Sequence, residues 1–111
     1  MIEFRDNEIR NAVLIKYLNS NVILVLINLG AGVAMQISVR LSRVYVLDED
    51  GMRDYFKELE GEDISIKLYD KPEAAAYYLA EMYYESNQGC YINANEELIN
   101  SDIAKMWEQK K

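Results

Sequence analysis

From Val33 onward the chain alternates strictly. Val33, Met35, Ile37, Val39 and Leu41 fall on one side, and Ala34, Gln36, Ser38, Arg40 and Ser42 on the other. A period of two marks a strand with one buried and one wet face. Just upstream, Val22 to Ile27 is an unbroken apolar run rich in β-branched residues. That run predicts a central strand buried on both faces. Gly30-Ala31-Gly32 between them supplies the positive φ a short hairpin loop needs. Residues 21–47 are therefore read as the hairpin on which the rest of the chain is organised. A phosphate-cradling loop is the other use of Gly-x-Gly, but such a loop opens a helix, and here a strand follows. Past Leu41 the phase changes. Val44 to Leu47 is apolar at every position, so Ser42-Arg43 reads as a bulge or as a strand end covered on both sides.

Around the hairpin the spacing predicts mostly helices. Ile9, Val13, Leu14, Tyr17 and Leu18 recur at helical intervals, with a strand over 12–18 turning at Asn19-Ser20 as the competing reading. Met52, Tyr55, Phe56 and Leu59 form one helical stripe that starts at Asp50 and stops at Gly61. Ile64, Ile66 and Leu68 alternate as a third strand. Asp70-Lys71-Pro72-Glu73 combines a cap, a first-turn proline and an acid three residues on, so a helix is expected from there to about Glu85. Its buried face would be Ala75, Leu79 and Met82. Cys90 to Ile92 reads as a short fourth strand. A last helix capped by Asn95 carries Ile99, Ile103 and Met106, with Asn100-Ser101-Asp102 as a kink or split. Ile2 and Phe4 at the start fit a short strand or arm. Together these predict an α+β fold, a single domain over 1–111, with helices packed on a mainly antiparallel sheet.

Half of the 111 residues are hydrophobic, enough for a real core. Two absences narrow the chemistry. There is no histidine, which removes the commonest general base and metal ligand, and one cysteine, Cys90, which removes any internal disulfide. Cys90 has acidic neighbours and no base, so it is expected to be a buried, inert thiol. The N-terminus lacks the basic and apolar regions of a secretory signal, and no apolar run is long enough to span a bilayer, so a cytosolic location is expected.

Charge changes the picture most. The chain carries net −7, and residues 48–102 hold fifteen acidic against four basic residues, a net −11. Phosphate binding needs Lys and Arg, so direct contact with nucleic acid is not expected. Asp48, Glu49 and Asp50 are candidate divalent-cation ligands, but their spacing lacks the later oxygens of a calcium loop, and helix capping explains them as well. Glu58, Glu60, Glu62 and Asp63 form the densest acidic run, on an expected turn around Gly61. In the tyrosine-rich segment Tyr77 and Tyr84 fall on the outer side of the expected helix, beside Glu73, Glu81 and Glu85. Tyrosine offers apolar area and a hydroxyl at low entropic cost, which suits an interface. Cover by another segment is the alternative, and Trp107 reads as a core or contact anchor.

No catalytic set is present. The composition therefore points to a non-enzymatic module that binds a basic protein, an inhibitor or accessory of a nucleic-acid-binding protein being one natural case. The partner-binding residues would be Tyr77, Tyr84, Glu73, Glu81, Glu85, Glu58, Glu60 and Glu62. No cofactor is called for. Two other classes stay open: a ligand-sensing or self-associating (homodimeric) domain, and a small carboxylate- or metal-dependent enzyme.

Overall fold

The computed structural model describes residues 7–69 and 77–106. In chain order the elements are β1 (Glu8–Asn19), β2 (Val22–Gly30), β3 (Val33–Leu41), β4 (Val44–Val46), α1 (Glu49–Lys57), β5 (Asp63–Leu68), β6 (Tyr78–Glu85), β7 (Tyr91–Asn93), α2 (Ala94–Asn100) and β8 (Ala104–Met106). Strands β3-β2-β1-β5-β6 lie side by side, all antiparallel. Parallel pairing of β6 with β3, from Val39↔Tyr78 to Leu41↔Ala80, closes the ring. The expected α+β architecture is thereby overturned. The described residues are 57% strand and 17% helix, and the fold is a closed five-strand β-barrel with two short helices. In chain order the barrel strands pair 1-2-3-5-4-1 with a helix between the third and fourth, the connectivity of an OB-type Greek-key barrel.

Local chemistry explains the turns. Ser20-Asn21 and Ala31-Gly32 all have positive φ, as the two-residue turns favoured by right-twisted hairpins require. Inward residues such as Leu14, Ile23, Val25, Ile27, Val39, Leu41, Ile66 and Met82 fill the barrel and are 0–1% exposed. Helix α1 closes one end with Met52 and Phe56. The Phe56 ring stacks on Tyr17 at 5.4 Å and meets the edge of Tyr55 at 5.1 Å. Asp48 caps α1 by accepting from the Gly51 N–H. Glu49 ties the helix to the β1–β2 turn, accepting from the Tyr17 hydroxyl at 2.8 Å and the Ser20 N–H at 2.7 Å.

Several sequence expectations need correction. Residues 9–18 form a strand, because two register shifts in β1 break the period-two pattern and imitate helical spacing. The tyrosine-rich segment is also a strand where it is described. Its Ala80 and Met82 face the core, and β5 and β3 pair with it on either side. Ala75 and the proposed start at Asp70 to Glu73 lie outside the described residues, as do Ile2, Phe4 and Trp107. In the Val22–Ile27 run the inner face is sealed, while the outer face opens along the strand from buried Val22 to Leu26, which is 37% exposed. The last helix is capped by Asn93, and it ends at Asn100, leaving β8 to pair with β4. Cys90 is exposed. Among the described residues no helix is long and apolar enough to cross a membrane.

Candidate functional site: an acidic groove at the end of the barrel

Beside α1 lies an open groove of about 430 Å³. Its walls come from four places: Tyr55, Glu58 and Leu59 of α1 and its exit; Glu62 and Asp63 at the start of β5; Tyr84 to Asn87 at the end of β6; and Ile92 with Glu97. The turn after α1 is pinned to β1, since the Gly61 N–H donates to Leu14 at 2.7 Å and the Leu14 N–H donates to Glu62 at 3.2 Å. Gly61 itself sits at φ +82, which a side chain would resist. This fixed turn holds Glu58 and Glu62 over the groove. On the far side the β6–β7 turn closes with the Ser86 N–H donating to Cys90 at 2.8 Å, which places Glu85.

Among the described residues five carboxylates, those of Glu58, Glu62, Asp63, Glu85 and Glu97, line the groove, and no Lys or Arg does. Glu97 is the one held from within. The hydroxyls of Tyr55 and Tyr84 each donate to its Oε1 at 2.6 Å. Burial, and then the neighbouring carboxylate, raises the pKa of both tyrosines above the ordinary value. Both hydroxyls therefore keep their protons and act as donors at neutral pH. Leu59 and Ile92 add apolar wall.

The expected binding residues divide. Glu58, Glu62, Tyr84 and Glu85 come together in the groove. Glu60 is exposed on the same turn but does not line it. Tyr77 and Glu81 are not among the groove's lining residues. Tyr77 sits under the Arg40 guanidinium at 5.7 Å. Glu81 accepts from the hydroxyls of Tyr69 and Tyr83 and from the Asn93 amide. Burial opposes its ionisation, yet these donors prevail and hold its carboxyl below the usual range. Tyr83, bonded to it, is pushed up to about 12. With both oxygens occupied, Glu81 ties together Tyr69 just past β5, Tyr83 of β6 and Asn93 of β7. Glu73 lies outside the described residues.

Sequence reasoning gave no binding role to Tyr55, Ile92 or Glu97, and it placed Asp63 in the acidic run without counting it among the partner-binding residues. Tyr55 and Glu97 meet across 42 positions of chain, and nothing in their local sequence signals the contact. The Asp48–Asp50 cluster is structural: Asp48 caps the helix and Glu49 holds the β1–β2 turn. Among the described residues no group of three or more His, Cys, Asp or Glu could hold a metal ion. No protein-family model matches this sequence, and no curated protein does either.

Proposed function

We propose that this chain is a non-enzymatic binding module that takes a positively charged segment of a protein partner into the acidic groove. The observation that carries the reading is the groove's lining, in which the described residues are five carboxylates and two tyrosines among others, with no Lys or Arg. Such a field attracts Lys- and Arg-rich surfaces and speeds their encounter, most strongly at low salt. The tyrosine rings, with Leu59 and Ile92, supply the desolvated contact that affinity requires. Nucleic-acid-binding proteins present basic surfaces of this kind, so blocking one by mimicking phosphate is the natural role. OB-type barrels often bind oligonucleotides on their β2–β3 face. Here that hairpin has no charged residue from Val22 to Val39, which leaves no Lys or Arg there to meet phosphates.

The test begins with capture of the partner from the native host on the intact protein, followed by binding rates at two salt concentrations. Glu58→Lys and Glu85→Lys should slow association and flatten its salt dependence. Tyr84→Phe, which keeps the ring and loses the bond to Glu97, should mainly speed dissociation. Glu60→Lys is the control, because Glu60 stands on the same turn outside the groove. An acidic partner, or equal effects from Glu60→Lys and Glu58→Lys, would sink the proposal.

A further inference from the structure

The barrel is closed unevenly, and the open part has an unusual composition. Among the described residues β3 pairs with β6 only over Val39–Leu41, so residues 33–38 bond to β2 on one side and to no strand on the other. The same stretch leaves its apolar side chains incompletely covered. Val33 is 54% exposed, and Met35 and Ile37 are half-buried, whereas Val39 and Leu41 on the same strand are sealed. An unpaired strand edge is a template for another strand, and proteins that keep it free usually block it with Lys, Pro or a bulge. None of these stands in residues 33–38. In a protein of net −7, the chain from Tyr17 to Val39 contains no charge at all.

We infer that this edge joins two copies of the chain, β3 against β3, into an antiparallel dimer that continues the sheet across both barrels. Three observations select a second copy as the occupant. Two molecules each carrying net −7 repel, and this uncharged hairpin is where they can meet without opposing carboxylates. A two-fold interface must also be self-complementary. With the axis at Gln36, Met35 of one copy stands opposite Ile37 of the other, and Ala34 stands opposite Ser38. Apolar thus meets apolar on the inner face, and small or polar residues meet on the outer one. Lastly, a basic partner of the kind the groove suits would find no carboxylate on this edge, and no residue of β3 lines the groove. The inference is therefore independent of the proposed binding function.

Sedimentation and light scattering across a wide concentration range, together with hydrogen exchange, test it. The wild-type protein should reach the dimer mass as concentration rises, and the amides of residues 33–38 should slow their exchange in step. The double variant Ala34→Lys/Gln36→Lys places like charges against each other across the axis. Both side chains are exposed, so its melting temperature should match the wild type while its dimer dissociation constant rises about tenfold or more. A wild type that stays monomeric at its solubility limit overturns the inference. So does a dimer that forms without protecting residues 33–38, or an edge found occupied by a different polypeptide. If the double variant is unstable, the exchange data on the wild type alone decide.

Discussion

Asn95 is the residue whose loss the barrel should feel most for its size. Strand β6 pairs with β3 up to Ala80 and with β7 from Tyr83, which leaves a gap in the ladder between them. The Asn95 carboxamide fills that gap. Its Oδ1 accepts from the Met82 N–H at 3.1 Å, and its Nδ2 donates to Ala80 at 3.1 Å and to Ser42 at 3.0 Å. The side chain is 4% exposed, so no water replaces these bonds cheaply. In Asn95→Ala the Ala80 carbonyl keeps a partner, the Ser42 N–H at 2.8 Å. The Met82 N–H and the Ser42 carbonyl lose theirs. An orphaned buried donor costs about 1–3 kcal/mol and a weakened acceptor somewhat less, so the variant should lose roughly 2–4 kcal/mol. For a domain of this size that is a fall in melting temperature of roughly 8–16 °C. Asn95→Asp keeps the acceptor but turns a carboxylate toward two carbonyl oxygens, at a cost of about 3–5 kcal/mol near neutral pH. Burial and those oxygens raise the folded pKa of the new acid above its unfolded value near ~3.9. Its deficit should therefore be least below about pH 4 and grow as pH rises through the folded pKa. Urea and thermal unfolding at several pH values, each against wild type at the same pH, measure this. Should Asn95→Ala melt within about 3 °C of wild type, or Asn95→Asp show no added pH dependence, the carboxamide is not completing the ladder.

Phe56→Ala should lose about 3–5 kcal/mol in denaturant unfolding, because it empties the plug of the barrel end and removes the ring stacked on Tyr17; a loss under 1 kcal/mol would mean that α1 does not close the core. Tyr17, Tyr55, Tyr69, Tyr83 and Tyr84 all have pKa values raised in the folded state. The stability they contribute is intact below the unfolded tyrosine pKa near ~10 and is lost as pH rises beyond it. Alkaline titration should thus show these tyrosines ionising late and together with unfolding, and independent titration near pH ~10 in a folded protein would contradict it.

The hairpin was legible because β2 and β3 carry an unbroken β-branched run and a strict alternation, joined by residues that accept positive φ. Helix α1 was legible for the matching reason, a single stripe between a cap and a glycine. β1 was not, since its two register shifts turn a period of two into spacings that resemble a helix. β6 misled through its tyrosines and alanines, which suit either state until tertiary pairing decides. Helical geometry puts Tyr77 and Tyr84 on one face; in the structure Tyr77 precedes β6 and sits against Arg40, while Tyr84 lines the groove. Acid density in residues 48–102 marked the segments that line the groove, but not that Glu81 accepts from Tyr69, Tyr83 and Asn93, partners no local pattern reveals. The same holds for Glu97.

Barrel topology turns that diffuse acidity into a site. β5 and β6 are antiparallel, with Ser65 opposite Tyr83. Two residues further along each strand, Asp63 and Glu85 therefore arrive at the same end of the barrel. The helix that precedes β5 delivers Glu58 and Glu62 there, and the helix that follows β7 delivers Glu97. Four segments spread over some forty residues thus converge because the chain leaves and re-enters the barrel at one end. Within that convergence the carboxylates are not equivalent. Glu97 Oε1 accepts from two hydroxyls, which fix the tyrosine rings as walls. Among the described residues no Lys or Arg forms an ion pair with Glu58, Glu62, Asp63 or Glu85. Among the described residues the lining supplies no positive charge. That imbalance is what the proposed basic partner would meet.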